Sequence, residues 1–282
     1  MKSIADITPS TRICAVIGNP VAHSKSPEIH ARFARQTGQD IEYTRLFAPL
    51  DGFRATVLRF RDAGAKGCNV TLPFKLEAFA LCVPSARASE AGAVNTLSFE
   101  GDGIAGDNTD GVGLVRDLEH NMDYALAGRR ILLMGAGGAA QGVLRPLLER
   151  GPAALVVANR TAGRAEQLCA NAIACRPGAA APTACAYERL RGPFDLVVNA
   201  TSASLDDALP PLPPGLFAAG ALAYDMVYGR ELTPFLRLAR EQGCRVSDGA
   251  GMLVEQAAES FLIWRGVRPE TAAVIEMLRG GE

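Results

Sequence analysis

The segment from Arg129 to Thr161, RRILLMGAGGAAQGVLRPLLERGPAALVVANRT, constrains the fold more than any other stretch of the chain. It reads as an apolar strand (131–134), then the turn Gly135-Ala136-Gly137-Gly138-Ala139-Ala140, then a helical run stopped by Gly151. A second apolar strand (155–158) follows. Strand, glycine turn, helix and strand within about thirty residues form the βαβ unit that binds dinucleotides. Gly135 permits the tight turn, Gly137 lets the backbone approach a pyrophosphate, and Ala140 keeps helix and strand close. The pyrophosphate then rests on the free N–H groups and positive dipole end of the helix. Where an NAD site carries an acidic residue for the ribose 2′-hydroxyl, this chain has Asn159-Arg160-Thr161. A cation and two polar side chains suit a 2′-phosphate, so the pattern predicts NADP rather than NAD.

The chain has 282 residues, enough for one large or two modest domains. Net charge is −1, so there is no global basic field for nucleic acid, and an anionic ligand must be held by local cations. The N-terminus MKSIADITPS lacks an apolar signal region, and no apolar run is long enough to span a bilayer. Seven cysteines, an odd number, show neither C-x-x-C spacing nor clustering with the three histidines. They read as reduced, mostly buried residues of a cytoplasmic protein, with no disulfide framework and no metal site.

Ahead of the glycine turn, strands and helices alternate, which makes residues 1–110 a domain with a largely parallel sheet. An apolar strand (13–17) leads into Gly18-Asn-Pro-Val-Ala-His-Ser24-Lys-Ser26-Pro27, where Ser26 has the look of a helix N-cap with Pro27 opening the helix. Ser24 has no such task, and two hydroxyls at a helix start equally suit a carboxylate. A helix over 51–63, capped by Asp51, buries Phe53, Val57 and Phe60. A strand over 67–71 turns through Leu72-Pro-Phe-Lys75 into a helix over 76–81. Strand ends carry the site residues of α/β domains, so Thr71 and Lys75 are candidates. Lys75 stands at the wrong helix end for the dipole, as if something else holds it there. Two short strands surround the turn 100–103. The polar run 106–113 feeds a helix over 114–119, with Asp110 as a candidate cap.

Past Thr161 come an Ala-rich helix with Arg164 near its start, an uninformative Ala/Pro segment (177–186) and a buried strand (194–199) ending in Asn-Ala-Thr201-Ser202. A strand over 221–227 ends at Tyr228, and Thr233-Pro234 caps a helix that Gly243 ends. A hinge-like turn around Gly249 precedes an amphipathic helix, 252–264, burying Leu253, Ala257, Phe261 and Trp264. Gln256 lies off that stripe and is expected to be exposed.

Taken together, GNPVAHSKSP (18–27), NVTLPFK (69–75), GAVNTL (92–97), GDNTDGVG (106–113), GAGGAA (135–140), NRT (159–161), NATS (199–202), YDMVY (224–228) and DGAGMLVEQAA (248–258) resemble shikimate dehydrogenase over nearly the whole chain. The resemblance implies an α/β substrate domain, residues 1–110 completed by C-terminal helices 249–282. It also implies a Rossmann NADP domain, 111–248, with a cleft between the two. The implied reaction is reversible: 3-dehydroshikimate and NADPH give shikimate and NADP⁺, a step of aromatic amino acid biosynthesis by way of chorismate.

Carried over by position, Ser24, Ser26 and Tyr228 hold the substrate carboxylate. Thr71, Lys75, Asn95, Asp110 and Gln256 bind its ring hydroxyls. The phosphates lie on Gly135 to Ala140, and the 2′-phosphate meets Asn159, Arg160, Thr161 and Arg164. Thr201, Ser202, Met226 and Gly249 match further cofactor positions. Lys75 is then the proton donor and acceptor, and Asp110 orients it. A neighbouring carboxylate favours a charged lysine, which suits the reducing direction and predicts faster shikimate oxidation in alkali. Two departures stand out: Ala31 where the family usually has Asn, and Ser204 where it has Gly. Alternatives are a quinate/shikimate dehydrogenase using either cofactor, or a non-catalytic relative that binds NADP and ligand. No nucleic acid or membrane partner is expected, and the assembly is a monomer or homodimer.

Overall fold

The structure is a computed structural model, and it describes residues 11–175, 181–201, 203, 208–229 and 231–280. It separates into two compact units. One takes the chain up to Gly113 and again from Leu253 onward; the other is Leu114–Met252.

The first unit runs β1 (Arg12–Gly18), α1 (Ser26–Thr37), β2 (Ile41–Phe47), α2 (Phe53–Asp62), β3 (Gly67–Val70), α3 (Lys75–Leu81), β4 (Val83–Pro84), α4 (Ala86–Ala91), β5 (Thr96–Glu100) and β6 (Gly103–Asp107). Its sheet has the order β2-β1-β3-β5-β6-β4. β1 pairs in parallel with β2 and β3, and β4 with β6, while β5 runs antiparallel between β3 and β6. That reversal matters for the site. It sets the start of β5 beside the ends of β3 and β6, with Asn69 opposite Thr96 and Thr96 opposite Asp107.

Helix α5 (Asp110–Arg116) continues as a π-helical turn, Asp117–Asn121. The second unit then runs β7 (Arg130–Met134), α6 (Gly138–Glu149), β8 (Ala154–Ala158), α7 (Ala162–Cys175), β9 (Thr183–Cys185), β10 (Phe194–Asn199), β11 (Phe217–Asp225), α8 (Pro234–Glu241) and β12 (Arg245–Ser247). Its sheet, β12-β11-β10-β7-β8-β9, is parallel throughout. The chain moves outward from β7 to β9, then returns to β10 and moves outward the other way. That puts the topological switch point between β7 and β10, just where the glycine turn leaves β7.

Helix α9 (Ala250–Arg265) carries the chain back into the first unit, and α10 (Ala272–Leu278) ends it. Phe261 and Trp264 of α9 pack with Ile29 and Phe33 of α1, and Trp264 Nε1 donates to the Leu97 carbonyl at 3.2 Å. Each sheet has an apolar core on both faces, and β1, β7, β8 and β10 are apolar over most of their length.

Several local expectations are corrected. α2 begins at Phe53 after Gly52, with no side-chain cap, so Asp51 is not its cap, and Phe60 is only half-buried. β11 starts at Phe217, four residues before the expected strand, and α9 starts at Ala250. The Ala/Pro segment, uninformative as sequence, holds β9, and residues 83–91 hold β4 and α4.

Candidate active site

In the first unit, α1 starts after Lys25, with Ser26 already helical and making no side-chain cap. Ser26 is therefore not the N-cap, and its hydroxyl is released from that task. The Ser26 amide instead donates to Ser24 Oγ at 3.3 Å, and Ser24 Oγ donates to Ser26 Oγ at 3.2 Å. Arg45, from β2, fixes this loop by a two-pronged donation to the Ser24 carbonyl at 2.9 and 2.6 Å. Two hydroxyls at a helix N-terminus, with a guanidinium behind them, make an anion-favouring corner.

Thr71, expected to end the strand, lies one residue past β3, its amide donating to the Ile17 carbonyl at 2.9 Å. Lys75 is the first residue of α3, and its Nζ donates to Asp110 Oδ2 at 2.5 Å. The side chains are 14% and 5% exposed, so this is a sheltered pair open on the lysine side. Asp110 is the first residue of α5 rather than a cap, and the helix expected from residue 114 starts four residues earlier. The carboxylate is free to face Lys75 because Asn108 does the local work. Its Oδ1 accepts from the Asp110 amide at 3.1 Å, and its Nδ2 donates to the Ala93 carbonyl at 2.9 Å. Asp107 anchors the same loop, taking a forked donation from Arg87 at 2.6 and 2.9 Å and one from Ser85 at 2.7 Å.

Asn95, at the entry to β5, donates to Asp110 Oδ1 at 2.8 Å, so both carboxylate oxygens hold a donor. Gln256 is not exposed. It is 8% accessible, its Oε1 accepts from Asn95 Nδ2 at 3.2 Å, and its Nε2 donates to the Leu253 carbonyl at 2.9 Å. Lys75, Asn95, Asp110 and Gln256 thus converge, from four separated stretches of chain. Sequence reading named all four but missed the buried group behind them, Asn69, Thr96, Thr109 and Ser260. Asn69, Thr96 and Thr109 stood inside quoted motifs without a task; Ser260 had no signal except a polar residue inside an apolar helix.

In the second unit, the candidates cluster at the carboxyl ends of the parallel strands. Gly135 leaves β7 at φ +107°, and a Cβ there would press on the Ala200 carbonyl at 3.1 Å. Gly137 is the N-cap of α6 with no side-chain cap, so the helix N-terminus at Gly138 keeps its amide donors clear. Asn159 donates to the Thr161 carbonyl at 2.9 Å, and Arg160 and Arg164 are exposed. Asn199 and Asp225 hold the loops after β10 and β11: Thr201 donates to Asn199 Oδ1 at 2.7 Å, and Asn199 Nδ2 to Asp225 at 3.2 Å. The Met226 amide donates to the Asn199 carbonyl at 2.9 Å and the Gly249 amide to the Val227 carbonyl at 3.2 Å, while Tyr228 is half-buried. Ser202 and Ser204 lie outside the described residues.

Comparison with known proteins identifies this arrangement. Residues 16–97 match the shikimate dehydrogenase substrate binding domain, 117–206 match shikimate / quinate 5-dehydrogenase, and 249–279 match the shikimate 5′-dehydrogenase C-terminal domain. A relative from Nitrosospira multiformis, named shikimate dehydrogenase (NADP(+)), is 63% identical over 269 residues, 94% of this chain and 96% of its own. The chain belongs to the shikimate dehydrogenase family. A second family member, from Aromatoleum aromaticum and named in the same way, is 62% identical over 270 residues, again 94% of this chain and 96% of its own. The crystal structure of shikimate 5-dehydrogenase from Thermus thermophilus, in complex with NADP(H) and shikimate, has 34% identity and a TM-score of 0.84. It covers 96% of this chain and 100% of that one. For a shikimate dehydrogenase fold, the turn after β7, open around Gly137, and the exposed guanidiniums of Arg160 and Arg164 after β8 have the chemistry to fit a phosphorylated dinucleotide.

Proposed function

We propose that this chain catalyses the NADP-dependent, reversible reduction of 3-dehydroshikimate to shikimate. The observation that carries the reading is the Lys75–Asp110 pair at 2.5 Å, with Asn95 and Gln256 gathered on it, in a member of this family. We assign substrate binding to residues 1–110 with 249–282, and cofactor binding to 111–248. NADPH, when bound, supplies the hydride that reduces the carbonyl carbon.

As that carbon is reduced, its oxygen gains negative charge and needs a proton. Lys75 is placed to stabilise the charge and deliver the proton. In the oxidising direction the same nitrogen takes the proton from the substrate hydroxyl. Asp110 holds Lys75 by Oδ2 and is itself held at Oδ1 by Asn95, so the lysine is positioned before substrate arrives. Ser24 and Ser26 receive the substrate carboxylate with Tyr228, and Thr71, Asn95, Asp110 and Gln256 receive the ring hydroxyls. Gly135, Ala136, Gly137, Gly138, Ala139 and Ala140 cradle the pyrophosphate. Asn159, Arg160, Thr161 and Arg164 bind the 2′-phosphate, with Thr201, Met226 and Gly249 along the rest of the cofactor.

Cys14, Cys68, Cys82, Cys169, Cys185 and Cys244 are free thiols, and burial pushes the Cys14 pKa up to about 12 and that of Cys68 still further from its usual range. No described helix is long and apolar enough to cross a membrane. Unpaired thiols are in keeping with a reducing compartment, and we assign the enzyme to the cytoplasm on that ground. The test is the initial rate of NADPH formation from shikimate and NADP⁺, with quinate and NAD⁺ in parallel. Turnover with shikimate and NADP⁺ alone supports the reading. Comparable turnover of quinate, or of shikimate with NAD⁺, replaces it with a dual-specificity enzyme, and a folded protein that binds NADP⁺ without turnover refutes it.

A further inference from the structure

Behind the Lys75–Asp110 pair, three hydroxyls and three side-chain amides lie in one buried cluster. Thr96, Thr109 and Ser260 are each 0% exposed, and Asn95, Asn69 and Gln256 are 2%, 6% and 8% exposed. Such groups are costly to bury unless every donor finds an acceptor, so the direction of each bond is constrained. A backbone N–H can only donate. The Thr109 amide lies 2.8 Å from one terminal atom of Asn95, so that atom is the oxygen and the nitrogen faces the other way. Asn95 Nδ2 therefore meets Asp110 Oδ1 at 2.8 Å, Thr109 Oγ1 at 2.9 Å and Gln256 Oε1 at 3.2 Å.

The same logic reaches Gln256. Its Nε2 is committed to the Leu253 carbonyl, which leaves Oε1 toward Asn95 and, at 3.3 Å, the Thr109 hydroxyl. Ser260 donates to the Gln256 main-chain carbonyl at 3.1 Å, so its lone pairs are left to accept. Asn69 Nδ2 donates to it at 2.9 Å, and the Thr96 and Thr109 hydroxyls stand at 2.8 and 3.2 Å. Asn69 is in turn set by Tyr43, whose hydroxyl donates to its Oδ1 at 2.8 Å. Burial raises the Tyr43 pKa well above its usual range, and the Cys14 and Cys68 sulfurs add to that, so this donor is retained.

We propose that Thr109 and Ser260 are positioning residues for substrate recognition, holding the Asn95 and Gln256 amides in register with one another and so setting where donor and acceptor are offered to the substrate's ring hydroxyls. Neither residue needs to touch substrate. The proposal rests on the functional reading above and adds to it the origin of hydroxyl selectivity. Without Thr109 Oγ1, Asn95 and Gln256 lose the partner they share, and the two amides, still oriented by the Thr109 N–H, Asp110 and the Leu253 carbonyl, shift out of the register that matches the substrate's hydroxyls. An unmatched buried polar group is the strongest source of discrimination such a site has.

The test compares Thr109→Val, which keeps shape and removes the hydroxyl, with Thr109→Ser, which restores it, and with Ser260→Ala as a second, smaller deletion. Steady-state constants are measured for shikimate, for NADP⁺, and for the 4-deoxy and 5-deoxy analogues of shikimate, which keep the reacting hydroxyl. The expected result for Thr109→Val and Ser260→Ala is a shikimate KM raised about tenfold or more, with the NADP⁺ KM within about twofold of the wild type. Thr109→Ser returns it to near the wild-type value. On at least one deoxy analogue the penalty shrinks to less than about threefold, because the hydroxyl that reads the placement of the amides is gone. A merely structural role would lower the melting temperature and penalise all three substrates alike, and that pattern overturns the proposal. Unchanged shikimate KM in both deletion variants of an active enzyme overturns it while leaving the functional reading intact. A wild type inactive on shikimate overturns both.

Discussion

His30 of α1 sits in an apolar core among aromatic rings, 0% exposed, and its burial makes a measurable prediction about acid stability. Its ring stacks on Tyr43 at 4.1 Å with the planes 5° apart, and Phe33, Phe261 and Trp264 surround it at 6.0, 6.1 and 5.6 Å. Burial lowers its pKa to about 3, with the nearby Asn69 side chain pulling weakly the other way. The folded value lies below the unfolded one of about 6.5, so as pH falls the unfolded chain takes up the proton first. Stability carried by the neutral ring is therefore complete above about pH 6.5 and is lost progressively toward about pH 3. The loss is about 1.4 kcal/mol per pH unit, or about 3 kcal/mol by pH 4.5. His30→Phe keeps a planar ring against Tyr43 and removes the titration. Denaturant unfolding of both proteins from about pH 7.5 to 4.5 separates this effect from the carboxylates, which cancel in the difference. The wild type is expected to lose about 3 kcal/mol relative to the variant across that range, with no divergence above about pH 7. Parallel curves would refute the reasoning, because they would mean the folded core accepts the proton.

Two further substitutions probe the second unit. Arg160→Asp sets a negative charge where the 2′-phosphate is proposed to bind, and the ratio of kcat/KM for NADP⁺ over NAD⁺ is expected to fall by about 10²-fold or more. An unchanged ratio would remove the residue from cofactor discrimination. Gly251→Ala places a methyl on the carboxylate of Asp117, which is fully buried and accepts from the Tyr224 hydroxyl at 2.6 Å and Asn121 at 3.0 Å. Displacing that carboxylate should cost about 2–4 kcal/mol of stability by chemical denaturation, and a cost below about 0.5 kcal/mol would show that the pocket yields freely.

The parts of the fold legible in the sequence are those whose signal is local. Apolar runs at β7, β8 and β10 and the glycine turn between β7 and α6 need only neighbouring residues to be recognised. What was hidden depends on residues far apart in the chain. Gln256 lies off the apolar stripe of α9, and nothing nearby shows that Asn95 and Thr109, 161 and 147 residues away, supply its partners. Ser26 carries every local mark of a cap, yet Ser24 takes the Ser26 amide and leaves that hydroxyl uncommitted by the helix. Asp110 resembled a cap for the same reason, while Asn108, two residues earlier, holds its amide. The short elements β4, α4 and β9 carry too few residues for a period to emerge, and the pairing of β4 with β6 and of β9 with β8 is what defines the two strands.

The central claim is that Lys75 handles the substrate proton while Asp110 holds it in place. The most direct measurement is the single-turnover rate of shikimate oxidation by NADP⁺ in the wild type and in Lys75→Ala, each with its shikimate KM, across neutral to alkaline pH. The account predicts a loss of about 10²–10⁴-fold in the turnover step, a much smaller change in KM, and a wild-type rate that climbs with pH because oxidation releases a proton. A variant impaired only in KM, or a wild-type chemical step indifferent to pH, would contradict it and leave Lys75 as a binding residue.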